Sequence, residues 1–212
     1  MLYFLCGKKN MRKKFLDSSI KRIVKKYPDY DEEKIEVISY GLEALYITIT
    51  KTVVIFGLAI LLGVLKETFL IMLFYNIIRT TAFGMHAKES WHCYIISGTL
   101  FIGMALLAKY VDISFYVKLI IYVFSAITIF MYAPADTYKR PLINAKKRKT
   151  YKILTMLSSL IYLILIILFK DNQISNFLIL GLLDASLMIH PLIYRMFQLP
   201  YNNYKSYTTS YN

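Results

Sequence analysis

The sequence predicts an all-α integral membrane protein, a six-segment transmembrane helical bundle with an N-terminal amphipathic interfacial helix. Three observations carry that expectation. Of 212 residues, 57% are apolar and only 18% are charged, whereas soluble domains sit at roughly 45–50% apolar. Mean hydropathy is +0.48. The apolar residues gather in long continuous runs, and the basic residues collect between alternate runs. Eight Gly and five Pro exclude a low-complexity or collagen-like chain, and two Cys cannot build a disulfide framework.

The elements follow in order. Around residues 12–27, Phe15, Leu16, Ile20, Ile23, Val24 and Tyr27 recur at helical spacing, with Lys21, Arg22, Lys25 and Lys26 opposite. That pattern suits a helix lying in the membrane interface. Pro28 should end it, and Asp31-Glu32-Glu33 should start the next helix, with acids at its positive end. Six apolar segments then occupy 44–197, approximately Ala44–Leu65, Thr68–Ile78, Cys93–Ala108, Phe115–Tyr132, Ile153–Phe169 and Asn176–Phe197. A spanning helix needs about 20 residues, so the second and third are short; four spans plus two re-entrant pieces is the alternative. Continuous rather than alternating hydrophobicity excludes membrane strands. Residues 198–212 read as a cytoplasmic tail, of which the polar, Tyr-rich Tyr201–Asn212 is expected to be frayed. No repeat or linker divides the chain, which reads as a single membrane domain over 1–212.

Charge sets the expected orientation. Of 26 Lys and Arg, 22 fall in the N-terminal region, Arg79–His92, Ala133–Lys152 and the tail, against four on the opposite side. The positive-inside rule then places both termini and those two loops in the cytoplasm. The net charge of +13 is thereby a matter of topology and of contact with anionic lipid in the bilayer, not of nucleic acid. No cleavable signal is expected at the N-terminus.

Chemistry must come from few polar residues, and the densest group is Arg79-Thr80-Thr81-Ala82-Phe83-Gly84-Met85-His86-Ala87-Lys88-Glu89-Ser90-Trp91-His92-Cys93. Cys93 should sit in the first turn of the third segment, where a helix N-terminus favours a thiolate. Histidine is the side chain suited to moving protons near neutral pH. In one straight helix His86 and Cys93 would be about 10 Å apart, so a pair requires a turn, which Gly84 and Lys88–Ser90 permit. His92, adjacent to Cys93, would point about 100° away and is the poorer base. On spacing alone, the residues read either as a catalytic dyad or as an interfacial histidine with a small buried thiol. Three His and no second nearby Cys leave a four-ligand zinc site unfilled, and no metal or cofactor is expected.

Arg79…Gly84-Met85-His86-Ala87…Cys93, followed by Tyr132-Ala133-Pro134-Ala135-Asp136, resembles the accessory gene regulator B (AgrB) family. The likeness covers most of the chain, including the leader, the spans and the basic loop after Ala-Pro-Ala-Asp. It departs in having Phe83-Gly84 where Gly-Gly is commoner, and keeps both His86 and Cys93. The resemblance implies a membrane cysteine endopeptidase of peptide quorum sensing, acting on an AgrD-like precursor peptide, and a homodimer. It implies that Cys93 attacks the bond between signal and tail, with His86 moving the proton. The precursor's own cysteine would then take the acyl group from Cys93 and close a thiolactone.

Four further residues are candidates for substrate binding or site shaping. Arg79 matches an arginine of the family motif, though snorkelling also explains it. Gly84 supplies backbone freedom for the turn. Asp136 either orients His86 or caps the turn after Pro134, and Glu89 is a rival orienter. A non-enzymatic membrane peptide transporter or channel is the alternative function, motivated by Asp184, His190 and Pro191 inside the last segment.

Overall fold

The computed structural model describes residues 2–85, 90–137 and 141–205. These residues form α1 (Leu2–Lys26), α2 (Glu32–Leu61), α3 (Leu65–Ala82), α4 (Ser90–Tyr110), α5 (Phe115–Tyr132), α6 (Ala145–Leu168), α7 (Gln173–Ile189) and α8 (Pro191–Met196). The protein is an all-α membrane bundle, and the six apolar runs fall in turn mainly on α2 to α7, the last continuing into α8. Lys34–Leu61, Phe115–Tyr132 and Ala145–Leu168 are long and apolar enough to cross a bilayer, while Tyr94–Tyr110 and Gln173–Ile189 are shorter apolar helices.

The chain divides into two compact units, Met1–Val54 and Ile55–Asn212. In the first, α1 stops before Pro28, and Tyr27 stacks on Tyr30 with ring centroids 5.1 Å apart. Asp31 is the cap of α2, its carboxylate accepting from the Lys34 N–H at 2.8 Å. Arg12 pairs with Glu43 at 3.1 Å, and Phe15 meets Tyr46 at 5.4 Å.

The second unit is built around α7, which packs against α3, α4, α5 and α6. Nearly its whole surface is buried, including Phe177–Leu182, Asp184–Ser186, Met188 and Ile189. Where lipid surrounds a bundle, apolar contact with neighbours gives no advantage over contact with lipid, and close packing by small residues decides. Gly181 meets that need. A Cβ there would stand 2.9 Å from Phe74 Cβ, 3.0 Å from Tyr75 N and 3.1 Å from Ile71 O. Buried hydroxyls finish the interior, with Tyr162 donating to Phe74 O at 2.8 Å and Ser186 to Ser125 at 3.2 Å. The opposite faces of α5 and α6 present Ile120, Val123, Ile127, Leu157, Ile161 and Ile164 outward, the surface that hydrocarbon would cover.

Three expectations need correction. The Thr68–Ile78 run is only the middle of an 18-residue helix, about 27 Å long; Lys66, Glu67 and Arg79 interrupt the hydrophobicity but not the helix. The last apolar run is not one helix to Phe197. Pro191 lacks an N–H and drives the preceding residue to extended geometry, so α7 ends at Ile189 and His190, at φ −71° and ψ 132°, caps α8. The imidazole Nδ1 accepts from the Leu192 N–H at 3.2 Å. The tail is not frayed at its start: Leu199 N–H donates to Tyr194 O at 2.8 Å, and Asn203 is buried.

Candidate active site

The site begins where α3 ends. Phe83 leaves the helix at φ 56° and ψ −134°, its N–H still bonded to Arg79 O at 3.0 Å. The next residues pair with the segment after α5 rather than with a helix. Ala135 N–H donates to Ala82 O at 2.9 Å and Gly84 N–H donates to Ala135 O at 2.8 Å, forming an isolated parallel bridge between Phe83 and Ala135. The peptide bond before Pro134 is cis.

Gly84 sits at φ 120°, and a Cβ there would collide with the Arg79 guanidinium and lie 2.8 Å from Met188 O. Only glycine fits both the conformation and the space. Met85 is then held at both backbone polar groups. Its N–H donates to Met188 O at 3.1 Å, at the end of α7, and its carbonyl accepts from Arg79 Nη2 at 2.6 Å. Arg79 also lies 5.7 Å from the centre of the Tyr75 ring, and its buried Nη1 has no hydrogen-bond partner among the described residues. The chain is therefore pinned by α3, α7 and the Ala133–Asp136 segment at the residue before His86. Phe83 extends the contact to α6, meeting Tyr151 edge-on at 4.9 Å.

His86 and Glu89 lie outside the described residues. Cys93 is the fourth residue of α4, which starts at Ser90, so its backbone occupies the first turn. The positive end of the helix dipole is there.

Asp136 is 3% exposed and fully engaged. Oδ1 accepts from Asn203 N–H at 2.9 Å, while Oδ2 accepts from Tyr204 N–H at 2.8 Å and Leu142 N–H at 3.3 Å. Its carbonyl accepts from Tyr194 OH at 3.1 Å. Burial beside Tyr132, Tyr204 and Asp136 pushes the Tyr201 hydroxyl up to about 12. Met188, Tyr194, Asn203 and Leu142 were not foreseen from sequence. Their parts are mostly played by backbone groups, which residue identity does not encode; only Asp136, an acid after Pro134, signalled a turn.

A basic groove lies at the start of α6, lined by Asn144, Lys146, Lys147, Thr150 and Tyr151. Asn144 caps the helix by accepting from Lys147 N–H at 3.1 Å. Of the residues that motivated a transport pathway, Asp184 is wholly buried on α7, with both oxygens unpartnered among the described residues. His190 is a helix cap whose ring meets Tyr132 at 5.1 Å. Among the described residues, no three His, Cys, Asp or Glu gather as a metal site.

The profile of the family described as Accessory gene regulator B matches residues 17–192. An AgrB-like protein of Listeria innocua is 30% identical over 177 residues, covering 84% of this chain and 87% of the relative. An AgrB-like protein of Clostridium acetobutylicum is 30% identical over 174 residues, covering 81% and 83% respectively. The accessory gene regulator protein B of Staphylococcus intermedius is 33% identical over 152 residues, covering 72% and 80%. No solved structure matches the chain. The match to the profile spans both the Arg79–Cys93 loop and the Ala133–Asp136 segment that clamps it, and the chain belongs to the AgrB family.

Proposed function

We propose that this protein is a membrane-embedded cysteine endopeptidase that trims an AgrD-like peptide precursor in quorum sensing and returns the signal as a thiolactone. The observation that carries the reading is the fixed backbone at Met85, one residue before His86, with Cys93 following in the first turn of α4. In an AgrB-family chain, a fixed entry to the loop and a cysteine backbone at a helix start support pairing of the two residues.

The chemistry balances without a cofactor. Cys93 gives its proton to His86 and its thiolate adds to the carbonyl carbon at the junction of signal and tail. The C–N bond breaks, the imidazolium proton goes to the leaving amine, and a thioester remains on Cys93. The precursor's cysteine thiol gives its proton to His86 and attacks that thioester. Cys93 leaves and recovers a proton, and the new thioester closes the ring. One thioester replaces another, so the exchange needs no nucleotide. Arg79 serves the reaction in two ways: Nη2 fixes the loop through Met85 O, and Nη1 is a spare donor for a substrate carbonyl. Gly84 permits that approach, Asp136 shapes the adjoining segment, and Glu89 is assigned to the loop between the dyad residues. The concentration of basic residues in alternate loops supports a site on the cytoplasmic face, where the thiol stays reduced, and the proposed active unit is a homodimer.

The test uses the full chain in phospholipid vesicles with a synthetic precursor. Cys93→Ala should abolish trimming, and His86→Ala should slow it by about 10²–10⁴-fold. The product should be lighter than the linear signal acid by one water. Full trimming by Cys93→Ala would overturn the proposal, and a linear acid as sole product would remove the cyclisation step.

A further inference from the structure

We infer that the C-terminal segment Leu199–Tyr204 is a positioning strap for the catalytic loop, acting through Asp136; the inference rests on the His86–Cys93 reading above. The connection can be followed bond by bond. Leu199 N–H is held by Tyr194 O at 2.8 Å, and Tyr201 packs edge-on against Tyr194 at 5.1 Å and Tyr132 at 6.4 Å. Asn203 and Tyr204 then give their backbone N–H groups to the two oxygens of Asp136, at 2.9 and 2.8 Å. Arg148 lies 3.9 Å from the centre of the Tyr204 ring, which ties the strap to α6 as well.

From Asp136 the link continues through backbone alone. Its neighbour Ala135 donates to Ala82 and accepts from Gly84, and Met85, bonded to Met188, precedes His86. Asp136 is buried in the folded chain, and without the strap its carboxylate keeps only the Leu142 N–H, so losing the two strap donors there is costly. Without the strap, the carboxylate must reach solvent or new donors. Moving it moves Ala135, and with it the backbone that sets the approach of His86 to Cys93. Asp136 and Asn203 are on this account positioning residues, neither touching substrate.

A strap that merely added stability would leave the pairing of thiol and imidazole unchanged, so the readout is the acidity of Cys93. In a Cys6→Ser background, alkylation of Cys93 by iodoacetamide is followed against pH for the parent, His86→Ala, Asp136→Asn and a chain ending at Pro200. The parent midpoint should lie below the ordinary thiol value of about 8.5, and His86→Ala should move toward it. Asp136→Asn and the shortened chain should move toward the His86→Ala value. Their kcat on a synthetic precursor should fall by up to about a hundredfold with KM little changed. Equal midpoints for parent and His86→Ala would defeat the dyad reading itself. Different midpoints there, with Asp136→Asn and the shortened chain unmoved, would defeat the strap alone. If the shortened chain loses helical signal, Asp136→Asn decides the matter, because its carboxamide retains one acceptor oxygen and its volume.

Discussion

Replacing Gly84 by alanine tests the geometry of the loop most directly. The residue sits at φ 120°, and the added Cβ would meet Met188 O at 2.8 Å and the Arg79 guanidinium closer still. Holding an L-residue in that region costs roughly 1–3 kcal/mol. Displacing Arg79 breaks its 2.6 Å bond to Met85 O, a charged hydrogen bond worth roughly 1.5–3 kcal/mol. The loop therefore loses about 2.5–6 kcal/mol, a large share of what holds a local segment in order. The helices do not depend on it, so the bundle should keep its helical signal while precursor trimming collapses. The control is Gly103→Ala in α4, where a Cβ meets nothing within 4 Å and helix propensity improves by roughly 0.8–1 kcal/mol. Circular dichroism, thermal unfolding in micelles and vesicle trimming would be measured on both variants. If Gly84→Ala trims as fast as Gly103→Ala, the loop is not held as described.

Other expectations address the bundle and the strap. Gly181→Ala forces its Cβ to within 2.9–3.1 Å of Phe74, Tyr75 and Ile71, and overpacking should lower stability by about 1–3 kcal/mol, seen as a lower unfolding midpoint. Tyr162→Phe removes the 2.8 Å bond to Phe74 O and should cost about 0.5–1.5 kcal/mol, the net worth of one hydrogen bond, since that carbonyl lies inside α3 and keeps its helical partner. Tyr201 ionises near 10 when unfolded and is pushed up to about 12 by burial in the fold. The neutral phenol therefore favours the folded state fully below pH 10, and that contribution disappears between about 10 and 12. Alkaline unfolding followed by phenolate absorbance should show this loss, and Tyr201→Phe should remove it.

What the sequence disclosed depended on the range of the interaction. Continuous apolar runs report their own environment, so the six helices could be placed from hydrophobicity, and Asp31 announced the start of α2 three residues ahead of the N–H it accepts from. The ends were harder. Lys66 and Glu67 look like a boundary but are polar residues within α3, since helical hydrogen bonding is indifferent to what the side chain carries. The Pro191 break was legible in principle, because proline denies its predecessor the helical region. The site divides the same way. Arg79, Gly84 and Asp136 could be nominated because side chain or conformational freedom marks them. Their partners at Met85, Ala135, Met188, Asn203 and Tyr204 contribute backbone groups, which every residue carries. The polar composition after Pro200 pointed to fraying for the same reason: its anchor lies 67 residues away at Asp136.

Phe83 turns the departure from Gly-Gly into a quantitative question. At φ 56° and ψ −134°, the residue occupies a region natural to glycine, and a phenylalanine there carries strain of roughly 1–3 kcal/mol. Its ring lies edge-on to Tyr151 at 4.9 Å, a contact worth about 0.5–1.5 kcal/mol beyond the area buried. The two terms oppose each other, so they can be separated by choosing what is removed. Phe83→Gly loses the ring and the strain together and should change stability little. Phe83→Ala loses the ring but keeps the strain, and should be the least stable of the three. Tyr151→Leu should shrink the gap between parent and Phe83→Ala without altering the gap between Phe83→Ala and Phe83→Gly, since only the first depends on the ring pair. Unfolding midpoints of the set give both gaps. If Phe83→Gly proves less stable than Phe83→Ala, strain at this residue is not what the dihedral angles imply, and the ring would have to be replaced by some other explanation for tolerating phenylalanine beside Gly84.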